Sequence, residues 1–191
     1  MKEFILINKT KFFLLLRVTI IFTLGMGFIS LLGQHEKSNI ILVFPFMTQL
    51  LIHLYDFVEF QRMNKILNSQ PFIRLTEIGL KKTYSDKTIK LISPKPILQG
   101  YVDNFPIKCE VENGILRITA DINRDLTENS QKEKLISVFG KENVQYDLLG
   151  IGLIYDSLRQ KRISFKDLIY ELRQFIEIIK TEDLNNYDTK A

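Results

Sequence analysis

Three polar residues punctuate one apolar run, and a fourth interrupts another. Gln49, His53 and Asp56 lie in QLLIHLYDFVEF, Gln49–Phe60. Arg17 lies in FFLLLRVTIIFTLGMGFISLLG, Phe12–Gly33. At about 100° per residue, Gln49, His53 and Asp56 share roughly 60° of a helical face. Such a stripe can hold a proton or an ion, because histidine titrates near neutral pH and ionisable groups in lipid often carry function. It can equally be a packing device. A charge at mid-membrane costs about 2.5–3.5 kcal/mol, and a facing opposite charge relieves it. Counting outward from residues 36–37 puts Arg17 and Asp56 at similar depth. The expected contact is therefore an Arg17–Asp56 ion pair with His53 beside it. Glu59 rotates away toward water.

These residues need helices to hold them. Phe12–Gly33 and Ile40–Phe60 each match the ~20 residues that span a bilayer. Residues 34–39 form a polar link too short to be a domain, so the expectation is an antiparallel transmembrane hairpin in the lipid bilayer. The first run outlasts a signal-peptide core and no A-x-A site follows it, so it reads as a retained anchor. Lys2, Lys9 and Lys11 precede the first span, and Arg62, Lys65 and Arg74 follow the second. This places both termini in the cytoplasm, in a plasma or inner membrane. The expected layout is a cytoplasmic segment 1–11, spans 12–33 and 40–60, an outer link 34–39, a cytoplasmic α+β domain 61–180 and a flexible tail 181–191. Thr19, Thr23, Gly27 and Ser30 form a small-residue stripe roughly opposite Arg17, which suits a homo-oligomer. Pro45 predicts a bend in the second helix.

The chain carries +4 overall. Residues 61–191 hold 21 of the 26 cations and 18 of the 22 acids, leaving about +3 with mixed signs. That bias is too weak to argue for nucleic acid. The single cysteine, Cys109, allows no intrachain disulfide.

The second helix is expected to run on through QRMNKILNS until Pro71 halts it. A β-rich region follows. Asn113-Gly114 predicts a type I′ hairpin pairing Val111 with Leu116, Cys109 with Ile118, Ile107 with Ala120 and Phe105 with Ile122. Those residues form an apolar face. Glu110 opposite Arg117, and Lys108 opposite Thr119, form a face for water. A turn at Asp103-Asn104 adds a third strand, pairing Val102 with Phe105, Gly100 with Ile107 and Leu98 with Cys109. Cys109 is thus a core thiol. Phe72–Thr76 and Thr88–Ile92 read as further strands, giving a meander of three to five strands. Two or three helices follow. Ser130–Glu133 caps one ending at Phe139 and Gly140, and Ser164–Asp167 caps an amphipathic one running to about Lys180. Tyr146–Leu158 fits either a helix weakened by two glycines or a long strand, and the helix is the preferred reading.

Other chemistries find few residues. The only histidines are His35 and His53, so zinc and histidine-based catalysis are unsupported. Asp121–Glu128 opens like a calcium loop but has Leu126 where glycine belongs. Gly140-Lys141 lacks the rest of a phosphate loop, and Gly150-Ile-Gly152 is half a dinucleotide fingerprint. No cofactor is expected. Arg159, Lys161 and Arg162 form the densest basic cluster, a solvated turn or a contact for lipid headgroups. The leading expectation is a non-enzymatic two-pass protein whose cytoplasmic module binds a ligand or protein. The alternatives are a pore or subunit working through Arg17, His53 and Asp56, and a tethered carboxylate enzyme.

Overall fold

The computed structural model describes residues 1–33, 38–85, 93–120, 129–147 and 150–188. The chain divides into two compact units. One is Met1–Arg62 with Ser85–Lys95, and the other is Met63–Tyr84 with Pro96–Ala191.

The first unit is helical. It holds α1 (Lys2–Ile7), α2 (Lys9–Gly33) and most of α3 (Ser38–Leu67). Asn8 joins α1 to α2 and ties the joint, its side-chain amide donating to the Phe4 carbonyl at 3.0 Å. Lys9–Phe28 is long and apolar enough to cross a membrane by length and composition, with mean hydropathy 1.7. Among the described residues α3 does not pass the same test. It nevertheless carries exposed apolar side chains, including Phe44, Leu51 and Leu54. Pro45 lies inside α3, which continues beyond the apolar run as expected but ends at Leu67, before the Asn68-Ser69 that were expected to extend it.

The second unit is α+β. Its six strands form one antiparallel sheet, ordered β1-β2-β3-β4-β6-β5. They are β1 (Leu80–Tyr84), β2 (Pro96–Val102), β3 (Phe105–Glu112), β4 (Ile115–Ala120), β5 (Val144–Asp147) and β6 (Gly150–Tyr155). The central meander has the predicted register. Val111 faces Leu116, Cys109 faces Ile118, and Leu98 faces Cys109. Asn113 and Gly114 both have positive φ, as do Asp103 and Asn104, which is the geometry a two-residue I′ turn demands. The expected Phe105–Ile122 rung lies outside the described residues. Strand alternation then buries Leu98, Ile107, Cys109, Val111, Leu116 and Ile118 on one face. Ile97 is buried too, but on the opposite face and outside that core.

Several expectations change. Phe72–Thr76 is not a strand but the start of a 3-10 helix, Phe72–Ile78. Three residues per turn put Phe72 and Leu75 together in the core, which strand alternation cannot do. The expected strand at Thr88–Ile92 lies outside the described residues, as does the calcium-like loop. The edge strand is LKKTY instead, whose lysines interrupt an apolar alternation while suiting an unpaired edge. Tyr146–Leu158 is not a helix. It contributes to β5 and β6, with Ile151, Leu153 and Tyr155 fully buried on alternate positions. Gly152 has a packing reason, since a Cβ there would lie 2.8 Å from Thr119 Cγ2 and 3.0 Å from the Ile118 carbonyl.

The helical layer comprises α4 (Asn129–Phe139), α5 (Ser157–Arg162) and α6 (Phe165–Asp188). Gly140, at φ +85°, follows α4 as predicted, though that helix begins one residue before Ser130. Ser164 caps α6 as expected, accepting from the Asp167 amide at 3.2 Å and donating to its carboxylate at 2.6 Å. The predicted stripe supplies Leu168, Leu172, Phe175, Ile176 and Ile179 to the core. The helix outlasts Lys180 and reaches Asp188, where a flexible tail was expected.

Two outcomes follow from this packing. A Cβ on Gly100 would stand 2.4 Å from the Gly79 carbonyl oxygen and 3.0 Å from the Leu80 Cα, backbone atoms just before and at the start of β1. Gly100→Ala should cost about 1–3 kcal/mol, read as a lowered thermal midpoint. An unchanged midpoint would mean that β1 and β2 are not so close. Burial, and then the Glu110 charge, push the Cys109 thiol well above the usual range. The folded chain keeps a proton that the unfolded chain loses above about pH 8.5. Stability should therefore fall as pH rises past that value, and the fall should be shallower in Cys109→Ala.

Candidate functional site

The predicted polar stripe exists, but its partner differs. Gln49, His53 and Asp56 share the inward side of α3, with Gln49 buried and Asp56 nearly so. Asp56 pairs with Lys11, not Arg17: Lys11 Nζ lies 2.5 Å from Asp56 Oδ2. Lys11 precedes Arg17 by six residues, about 9 Å along a helix. Counting equally from the link assumed that both helices reach it at one height. The aromatic contacts show otherwise, with Phe12 on His53 at 5.2 Å and Phe4 on Phe57 and Phe60 at 5.3 Å each. They place the very start of the chain against the second half of α3. Arg17 is exposed.

A third residue closes this cluster. Ser93 donates to Asp56 Oδ2 at 2.8 Å and accepts from Lys11 Nζ at 3.1 Å. The carboxylate thus receives two donors, one of them charged, in a half-buried setting. The serine gives its proton toward Asp56 while the lysine donates to both, so one ammonium, one hydroxyl and one carboxylate share three hydrogen bonds. His53 Nε2 and Gln49 Oε1 are buried without a hydrogen-bond partner among the described residues.

The remaining sequence candidates fall in different places. Thr19 is buried within this chain, so the small-residue face expected to meet another copy is turned inward at that point. Thr23 Oγ1 is buried as well and Gly27 is half-buried. The Ser30 side chain lies outside the described residues. Arg159 is not available to headgroups. It donates to Glu171 at 2.7 Å and to the Ile154 carbonyl at 2.8 Å, with its guanidinium 4.4 Å from the Tyr155 ring centroid. Glu171 also accepts from the Tyr155 hydroxyl at 2.8 Å, so Arg159 completes a part-buried polar network. Burial, chiefly, and the Glu171 charge hold the Tyr155 phenol well above its ordinary pKa. Lys161 and Arg162 remain exposed.

The second unit offers a larger feature that sequence reasoning missed. The outer face of the sheet carries a groove of about 920 Å³. One rung crosses all six strands there: Lys81, Gln99, Lys108, Thr119, Gly152 and Gln145. Four of these strands line the groove, and Tyr101, Pro106 and Glu110 join them. Lys108 pairs with Glu110 at 2.6 Å, while Arg117 turns to Glu112. The water-facing pairs expected from the register therefore hold in the backbone but exchange partners in the side chains. Lys81 makes no ion pair among the described residues. Tyr101 is 68% exposed beside Pro106, its cross-strand neighbour. Cations, an amide, a carboxylate and an open aromatic ring thus converge on one concave surface. Of the groove's residues the sequence signalled only Lys108, Glu110 and Thr119 as outward. Lys81 was invisible because its strand was.

No protein-family model matches the chain, and no curated protein or solved structure matches it.

The triad yields a direct test. Lys11→Ala should lose about 2–3 kcal/mol of stability, the scale of a buried charged hydrogen bond left unmade. Lys11→Asp combined with Asp56→Lys should recover part of that loss. Arg17→Ala should change the thermal midpoint little. A larger effect at Arg17 than at Lys11 would restore the pairing first expected.

Proposed function

We propose that this chain is a two-pass integral membrane protein of the plasma or inner membrane, with both termini cytoplasmic. Its α+β module is a non-enzymatic binding unit that takes a soluble anionic ligand on the outer sheet face. The groove is the observation that carries the binding half. Its size falls within the ~300–1,000 Å³ common to small-molecule sites, and its lysines outnumber its one acid. The anchor half is supported by α2 and by the apolar residues that α3 leaves uncovered, a surface that water does not favour. Asp56 and Lys11 neutralise one another near the cationic end of the first run, where Lys2 and Lys9 are exposed. Arg17 is long enough to reach toward that same boundary. Self-association through Thr19, Thr23, Gly27 and Ser30 is not part of this reading, because Thr19 is already covered.

A second reading makes the Lys11, His53 and Asp56 cluster the working site of a membrane subunit. The buried, unpartnered His53 Nε2 favours it, since a proton or ion there would have a ready ligand.

Cysteine labelling separates these ideas from a soluble protein. In a Cys109→Ala background, Lys37→Cys should react with an impermeant maleimide on intact cells, and Lys190→Cys should react only after lysis. The protein should stay in the membrane pellet through a carbonate wash. Equal labelling of both positions, or release by carbonate, would overturn the two-pass arrangement. His53→Ala with normal insertion and lost phenotype would favour the second reading.

A further inference from the structure

We infer that the groove on the outer sheet face binds a nucleoside phosphate, an inference that rests on the anion-binding reading above and names its ligand class. The argument begins with spacing. Neighbouring strands lie about 4.8 Å apart, so Lys81 on β1 and Lys108 on β3 flank Gln99 across roughly 10 Å. Their flexible side chains can converge on a phosphate above that amide. Tyr101 stands two residues from Gln99 on the same strand, about 7 Å along it, and its ring is on the same face. A flat base stacked on Tyr101 and a phosphate between the lysines are separated by the reach of one nucleotide.

The polar groups also select among anions. Glu110 lies in the groove, held 2.6 Å from Lys108 Nζ. Its carboxylate repels a uniformly acidic polymer but accepts from ribose hydroxyls or an exocyclic amine. A phospholipid headgroup offers no planar aromatic ring to stack on Tyr101. Inorganic phosphate would use the lysines and leave the aromatic idle. Only a compact ligand with an anionic end, a planar end and hydrogen-bond donors between them uses the whole surface. Stacking on an exposed aromatic tolerates any base, so the groove defines the class and not the base.

Isothermal titration of the full chain in detergent tests this. The probes are AMP, GMP and UMP, with inorganic phosphate, glycerol 3-phosphate and poly-glutamate as comparators. At least one nucleotide should bind tenfold or more tightly than inorganic phosphate or glycerol 3-phosphate. Tyr101→Ala should weaken it about tenfold, and Tyr101→Phe should retain it. Lys81→Glu should weaken it at least as much, with an unaltered thermal midpoint for each variant. Equal affinity for inorganic phosphate, with Tyr101→Ala indifferent, would overturn the nucleotide assignment while leaving an anion site. Preference for glycerol 3-phosphate or poly-glutamate would do the same and point to a headgroup or an acidic protein. No binding by any probe would overturn both the assignment and the anion-binding reading, whereas the membrane arrangement is judged by labelling alone.

Discussion

Two tight turns govern the α+β unit. Asp103-Asn104 and Asn113-Gly114 each take two consecutive residues through positive φ, a conformation that matches the twist of the strands they join. With two-residue turns the pairing cannot slide. A slip of one residue would turn every core side chain of the meander outward. The same constraint that buries Cys109 and Ile118 therefore sends Gln99, Tyr101, Lys108 and Thr119 to the other side. The core and the candidate site are two faces of one register.

The outer strands complete that surface by different means. β6 approaches β4 closely because Gly152 has no side chain to meet Thr119, and this leaves the rung open at that point. β1 approaches β2 through Gly79 and Gly100, whose backbones would not admit a Cβ on either. Lys81 is thereby brought into line with Gln99. On the inner side, α6 covers the sheet with Leu172, Phe175 and Ile179, and Glu171 locks Tyr155 and Arg159 together. The densest basic cluster in the sequence thus has its first member tied into a part-buried ion pair.

In the helical unit one charge organises the polar contacts. Asp56 is set among apolar residues and requires donors, which Lys11 and Ser93 supply. Ser93 belongs to Ser85–Lys95, the connection between β1 and β2, which clusters with the helices and not with the sheet. The strands that carry Lys81 and Gln99 are the ones this connection joins.

The sequence alone determined what depends on local chemistry. The apolar run Phe12–Gly33, the helical stripe of Gln49, His53 and Asp56, the I′ turn at Asn113-Gly114, the turn at Asp103-Asn104, the meander register and the Ser164 cap all follow from period, turn residues and short-range hydrogen bonds. Tertiary structure decided the rest, because those features compete at longer range. Which cation meets Asp56 depends on the relative height of two helices, and the aromatic packing of Phe4 and Phe12 selects Lys11 over Arg17. Tyr146–Asp147 and Gly150–Tyr155 are strand because the edge of β4 offers backbone partners to β6, and β6 to β5, that glycines do not obstruct. Lys81, Gln99, Tyr101 and Lys108 come from three strands and are unremarkable in sequence. Only the pairing of those strands makes them neighbours.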